Sequence, residues 1–129
     1  MNLESNKTII NKSQKEFFEY LTDLNNFKDL MPSNTDKFEV DGASFIFSLK
    51  GMPEIRLVLK EKQEYNKIIL GAASSKLSFS LTALINVATE NTCEAQLLFE
   101  GEFNAMMAMM VKGPLQKFID TLIENAGKL

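Results

Sequence analysis

The chain has 129 residues, enough for one domain spanning 1–129 whose apolar core, at this size, needs no disulfide or metal to hold it together. It contains no histidine and a single cysteine, Cys93, so serine–histidine and cysteine–histidine catalytic pairs and the usual zinc sites are excluded, and we expect no cofactor. The net charge is −3, and acidic and basic residues are interleaved without a basic stripe, which argues against nucleic-acid recognition.

The N-terminal part is predicted to hold one strand followed by two short helices. A β-prone stretch predicts the first strand from Leu3 to Ile10. Ser13-Gln14-Lys15-Glu16 has the pattern of a capping box, in which serine and glutamate side chains satisfy each other's backbone N–H groups, so a helix begins here and runs to residue 24. Asn25-Asn26 ends this helix, and one further short helix from Phe27 to Met31 ends at Pro32.

From Lys37 onward, apolar and polar residues alternate with a period of two, which predicts an antiparallel sheet with one apolar face. Gly51-Met52-Pro53 predicts a turn, and folding the chain about Met52 pairs Phe45 with Leu59 and Phe47 with Leu57. Six strands are predicted in this region, at 37–41, 44–49, 55–60, 68–73, 77–87 and 93–103.

Three residues of these strands need a separate interpretation. Strict alternation places Val87 on the apolar face of its strand. The same alternation directs Glu61 towards the interior, where a carboxylate could bind a ligand hydroxyl; the alternative is a strand end that twists out to solvent. Cys93 begins the apolar face of the last strand, and we interpret it as a small core residue rather than a nucleophile.

The last segment, 104–125, predicts a long helix that begins at Asn104 and covers the apolar face of the sheet. Met106, Met109 and Met110 point away from its core stripe, so the first half of the helix is apolar on all sides. We expect the short helix 27–31 to cover these methionines and form a cavity mouth with them. Plain core filling, and a dimer or membrane contact, are the open alternatives.

Pro114 lies inside this predicted helix. Because proline has no N–H to donate to the carbonyl four residues earlier, the helix is expected to bend there. The bend either widens a cavity beneath the helix or follows the curvature of the sheet.

The element order resembles that of the START-like helix-grip superfamily, which contains polyketide cyclases, lipid-transfer domains and the birch-pollen allergen. The resemblance covers essentially the whole chain and is carried by the capped helix running into Leu24-Asn25-Asn26-Phe27-Lys28-Asp29-Leu30-Met31-Pro32, and by the methionine-rich start of the last helix. It implies an α+β fold in which a curved seven-stranded antiparallel sheet wraps around a long C-terminal helix, with two short helices after the first strand. It also implies an apolar cavity between sheet and helix. The tryptophan common near the second short helix in this superfamily is absent.

We expect the chain to bind or carry a small hydrophobic or amphipathic molecule, such as a lipid, quinone or polyketide, in that cavity. A cyclase- or dehydratase-like enzyme using Glu61 or Tyr65 remains an alternative, although no catalytic residues form a recognisable set; a co-chaperone-like interaction domain is another. No signal peptide or membrane-spanning run is visible, so we expect a cytoplasmic protein. The predicted ligand-binding residues are Phe27, Met31, Phe45, Phe47, Leu57, Phe79, Leu81, Leu97, Phe99, Met106 and Met110.

Overall fold

A computed structural model describes residues 1–50, 54–72 and 78–129. The predicted turn at 51–53, and residues 73 and 77 of two predicted strands, lie outside the described residues. The helices are α1 (Gln14–Thr22), a 3-10 helix (Leu24–Leu30) and α2 (Ala105–Ala126). The strands are β1 (Asn2–Glu4), β2 (Thr8–Ile10), β3 (Thr35–Asp41), β4 (Ser44–Leu49), β5 (Ile55–Gln63), β6 (Lys67–Ala72), β7 (Ser78–Thr89) and β8 (Thr92–Glu102).

Within the described residues, the strands form one antiparallel sheet in the spatial order β1, β8, β7, β6, β5, β4, β3, with β2 also paired to β8. The prediction of one strand from Leu3 to Ile10 is wrong, because two short strands occupy this stretch. Ser5 lies between them, and its hydroxyl accepts a hydrogen bond from the backbone N–H of Leu97 at 2.9 Å. The backbone N–H of Ser5 still donates to the carbonyl of Leu97 at 2.9 Å, so only the acceptor of this pair comes from a side chain.

The predicted helix starts are confirmed. The Ser13 hydroxyl accepts from the backbone N–H of Glu16 at 3.2 Å, and the Glu16 carboxylate accepts from the backbone N–H of Ser13 at 3.1 Å. The side chain of Asn104 accepts from the backbone N–H of Met107 at 2.8 Å, which caps α2. Each cap satisfies N–H groups that have no partner inside the helix, so both helices begin where the sequence predicts.

The predicted register of the β4–β5 hairpin is wrong by two residues. Phe45 lies opposite Leu57 rather than Leu59, and Phe47 lies opposite Ile55 rather than Leu57. A shift of two residues keeps every side chain on its predicted face, because side chains alternate with a period of two. The alternating pattern therefore could not distinguish these two registers.

Two strand residues are exposed although strict alternation places them on the apolar face. The β5–β6 pairing shifts between Leu59 and Glu61, and Glu61 is exposed. A bulge of this kind adds a residue to one strand, so the alternation predicted for Glu61 fails. Val87 still lies opposite the buried Cys93 and therefore on the predicted face, but it is 65% exposed because nothing in the described residues covers this end of β7.

The second half of α2 is held against the sheet and the 3-10 helix. The side-chain amide of Asn125 donates to the backbone carbonyl of Leu30 at 2.9 Å, and that of Gln116 donates to the carbonyl of Glu4 at 2.8 Å. Within the described residues, no helix has both the length and the apolarity needed to cross a membrane. The buried α2 residues are Val111, Leu115, Phe118, Ile119, Leu122, Ile123 and Ala126.

Candidate functional site

The predicted ligand-binding residues of the sheet lie together on its covered face. Leu81 pairs with Phe99, and Phe45 pairs with Leu57, in the registers of β7–β8 and β4–β5. Phe79 is only partly buried and stacks on Phe99 with the ring centroids 5.8 Å apart. The buried members of the predicted set on the sheet are Phe45, Phe47, Leu57, Leu81, Leu97 and Phe99.

Aromatic rings fill the space under β3 and β4. The Phe45 ring lies 5.2 Å from that of Phe27, 5.3 Å from that of Phe38 and 5.9 Å from that of Phe47, measured between centroids. Phe47 in turn stacks on Phe118 of α2 at 4.8 Å, with an angle of 4° between the ring planes. Three predicted ligand-binding residues, Phe27, Phe45 and Phe47, therefore pack against one another or against α2.

The cavity that remains between sheet and helices is small. Its volume is about 20 Å³, roughly the space that one water molecule needs, and it is lined almost entirely by apolar surface. A ligand-sized molecule could enter the core only if side chains moved apart. The cavity is lined by Phe17, Leu21, Phe27, Leu30, Ile68, Leu70, Leu81, Ala83, Leu97, Leu122, Ile123 and Ala126.

A much larger space lies at the surface, in a groove between α2 and the end of β4. This groove has a volume of about 360 Å³, which falls within the roughly 300–1,000 Å³ of small-molecule sites. We call it the α2–β4 groove. Phe118, which stacks on Phe47 from inside, also lines the groove, so the groove borders directly on the aromatic core. It is lined by Pro32, Asn34, Leu49, Lys50, Met110, Gly113, Pro114, Lys117, Phe118 and Thr121.

The methionines of α2 are not covered as predicted. Met106, Met109 and Met110 are 74%, 85% and 67% exposed, so the expectation that the short helix 27–31 closes over them is wrong. That helix instead packs against the second half of α2, where Asn125 binds Leu30. Met110 lines the α2–β4 groove, whereas Met106 lines neither the groove nor the cavity. Met31, at the end of the 3-10 helix, is partly buried against the core.

No family model matches the sequence, and no curated protein is similar to it in sequence. Solved structures are similar in shape. A truncated norcoclaurine synthase from Thalictrum flavum matches with a TM-score of 0.73 at 12% identity over 99% of this chain and 91% of that one. The chain has the helix-grip fold. A Thermus thermophilus protein also matches this helix-grip chain, with a TM-score of 0.72 at 12% identity over 99% of this chain and 95% of that one. XoxI from Bacillus cereus matches with a TM-score of 0.66 at 12% identity over 95% of this chain and 93% of that one.

The two residues considered for acid–base chemistry lie away from both spaces of this helix-grip fold. The Glu61 carboxylate is exposed and accepts a hydrogen bond from the side chain of Gln63 at 3.2 Å. The Tyr65 ring packs edge-on against Phe18 with centroids 5.4 Å apart. Neither residue lines the cavity or the α2–β4 groove, so they are not brought together with the predicted ligand-binding residues.

Cys93 is a core residue, as predicted. Its side chain is fully buried, and burial raises the pKa of the thiol from 9.0 to about 11. Because the thiolate is the nucleophilic form, a thiol that stays protonated at neutral pH is unreactive.

Sequence reasoning missed most of the groove-lining residues. Lys50 and Lys117 are 67 positions apart in sequence, on β4's end and on α2, and neither belongs to an apolar pattern. One signal was available for Lys117: it lies seven residues, or about two helical turns, after Met110 and therefore on nearly the same side of α2. No comparable signal connects Lys50 to the helix.

Proposed function

We propose that this chain binds a small apolar or amphipathic molecule, and that the molecule binds in the α2–β4 groove rather than in a preformed internal cavity. The observation that carries the proposal is a difference in volume: the groove holds about 360 Å³, whereas the internal cavity holds about 20 Å³. A ligand in the groove needs no rearrangement of the aromatic core, whereas a ligand of the same size inside the fold does.

The lining of the groove supports an apolar ligand. Leu49 and Phe118 are buried at its base, and Met110 and Pro114 stand along the helix side. The methionine side chain is flexible and polarisable, so it can adapt its contact to ligands of different shape. Burial of apolar ligand surface against these side chains supplies the binding free energy.

Gly113 offers a way to fill the groove without touching the core. It lies within α2 and lines the groove, and apart from its two chain neighbours and the adjacent backbone of α2, a Cβ atom built on it meets no atom of the described residues within 4 Å. A large side chain introduced here can therefore project into the groove while α2 remains intact. Because Pro114 follows, a Cβ at position 113 meets the proline ring in the helical conformation, and this costs the same in every non-glycine variant.

The experiment compares Gly113→Phe with Gly113→Ala, using the neutral dye Nile red as the probe. Both variants lose the glycine, but only phenylalanine occupies the groove. We expect the wild type and Gly113→Ala to bind the dye with similar affinity and Gly113→Phe to bind it about tenfold more weakly. Far-UV circular dichroism and thermal melting provide the control for folding.

Two results would contradict the proposal. One is a wild type that binds no dye. The other is equal dye affinity of Gly113→Phe and Gly113→Ala, which would place the binding site elsewhere, in the core or on the methionine surface.

A further inference from the structure

The α2–β4 groove has a positive edge in a chain whose net charge is negative. Its lining contains two lysines, Lys50 and Lys117, and none of the 17 aspartate and glutamate residues of the chain. Lys50 directly follows β4, where its backbone N–H donates to the carbonyl of Asn34 at 2.9 Å. Lys117 lies on α2, and its carbonyl accepts from the Thr121 hydroxyl at 2.8 Å. The two ammonium-bearing side chains therefore start from opposite sides of one groove.

These lysines have no carboxylate partner in the part of the chain that the structure describes. The ion pairs found there join Lys37 to Glu39 and Glu54. The carboxylate nearest to Lys117 in sequence along α2 is that of Asp120, and it accepts from the side-chain amide of Gln116 at 3.2 and 3.3 Å. Both lysine side chains are exposed, so they are available to an anion that enters the groove.

Apolar and cationic surfaces occupy different parts of the groove. The base is formed by Leu49 and Phe118, which are 4% and 3% exposed, whereas Lys50 and Lys117 reach solvent. A molecule that matches this arrangement has an apolar tail for the base and a negative head group for the edge. Lysine binds such head groups as a point charge, so carboxylate and phosphate satisfy the same site.

We infer that the ligand of the α2–β4 groove is an anionic amphiphile whose head group is bound by Lys50 and Lys117. The inference rests on the proposed function, since it assigns the chemical class of the molecule bound at that site. An exposed ion pair contributes little by itself and is weakened by salt. The head group therefore determines which amphiphile is preferred, while the tail provides most of the affinity.

The test measures displacement of Nile red by three ligands with the same twelve-carbon tail: laurate, lauryl phosphate and the uncharged 1-dodecanol. We expect the wild type to bind laurate and lauryl phosphate about tenfold more tightly than dodecanol at low ionic strength. The difference should shrink at 0.5 M NaCl, because screening weakens the ion pairs. Comparing laurate with lauryl phosphate also shows whether the groove prefers a carboxylate or a phosphate head group.

The variant for this test is the double substitution Lys50→Gln/Lys117→Gln. Its matched control is Lys7→Gln/Lys62→Gln, which removes the same charge from exposed positions near the opposite end of the sheet. We expect the first variant to lose about tenfold in affinity for the anionic ligands and to keep its affinity for dodecanol. The control should bind all three ligands as the wild type does.

The results separate this inference from the proposed function. If dodecanol and the dye bind but laurate and lauryl phosphate are not preferred, or if the double variant keeps the preference, the head-group assignment is wrong while the groove remains the site. If the control loses as much as the groove variant, the effect comes from net charge and the assignment is also wrong. If nothing binds to the wild type, the proposed function itself fails.

Discussion

Replacing Phe118 with leucine tests whether the Phe47–Phe118 stack holds α2 on the sheet. The two rings lie 4.8 Å apart, nearly parallel, and the side chains are 2% and 3% exposed. Truncating a buried phenylalanine to alanine costs about 3–5 kcal/mol, and leucine keeps most of the apolar volume, so it should cost less. An aromatic pair contributes about 0.5–1.5 kcal/mol beyond the area it buries. We therefore expect Phe118→Leu to lower the free energy of unfolding by about 1–2 kcal/mol.

The assay is a double-mutant cycle with Phe47→Leu, using urea unfolding followed by far-UV circular dichroism. Once one ring of the stack is gone, replacing the second should cost less, and we expect a coupling free energy of about 1 kcal/mol. The matched control combines Phe118→Leu with Phe79→Leu, because Phe79 stacks on Phe99 instead. The control pair should be additive. Additivity within about 0.3 kcal/mol for Phe47 and Phe118 would refute the stabilising role of the stack.

Two further predictions concern Cys93 and the exposed methionines. Because burial raises the pKa of Cys93 from 9.0 to about 11, its contribution to stability is present below pH 9 and is lost as the pH rises towards 11. The free energy of unfolding of the wild type minus that of Cys93→Ala, measured by urea unfolding, should fall by about 1.4 kcal/mol between pH 7 and pH 10. A difference that stays constant with pH would contradict the effect of burial on the thiol. Dilute hydrogen peroxide should oxidise Met106, Met109 and Met110 before the partly buried Met31, as measured by peptide mass spectrometry. Equal oxidation rates would show that α2 is packed differently in solution.

The small internal cavity follows from how aromatic side chains meet across elements. Phe27 comes from the 3-10 helix, Phe45 and Phe47 from β4, and Phe118 from α2, yet their rings form one continuous set of contacts. The sequence correctly indicated that they share one apolar interior. Whether these rings fill the space under the sheet depends on the curvature of the sheet and on the position of α2. Neither is a local property of the chain, so the sequence pattern could not predict the size of the cavity.

Local patterns in the sequence were enough to predict most of the helices and strands and the faces that they bury. Ser13 and Asn104 start helices because their side chains satisfy local N–H groups, and strand alternation identifies the buried face because side-chain direction repeats every two residues. These signals act over a few residues, so they can be recognised without knowledge of the rest of the chain. The helix-grip fold was predictable on that basis, together with a resemblance in element order.

The strand register, the open space at the surface and the charge around that space depend on contacts between distant parts of the chain. The two-residue shift of the β4–β5 hairpin and the bulge at Glu61 depend on which cross-strand contacts pack best, and strand alternation is the same for either register. The α2–β4 groove combines Met110 of α2 with Lys50 beyond β4, so it exists only once the helix lies across the sheet. We propose a site in this groove rather than in the predicted interior because the side chains of different elements meet inside the fold and leave more space here.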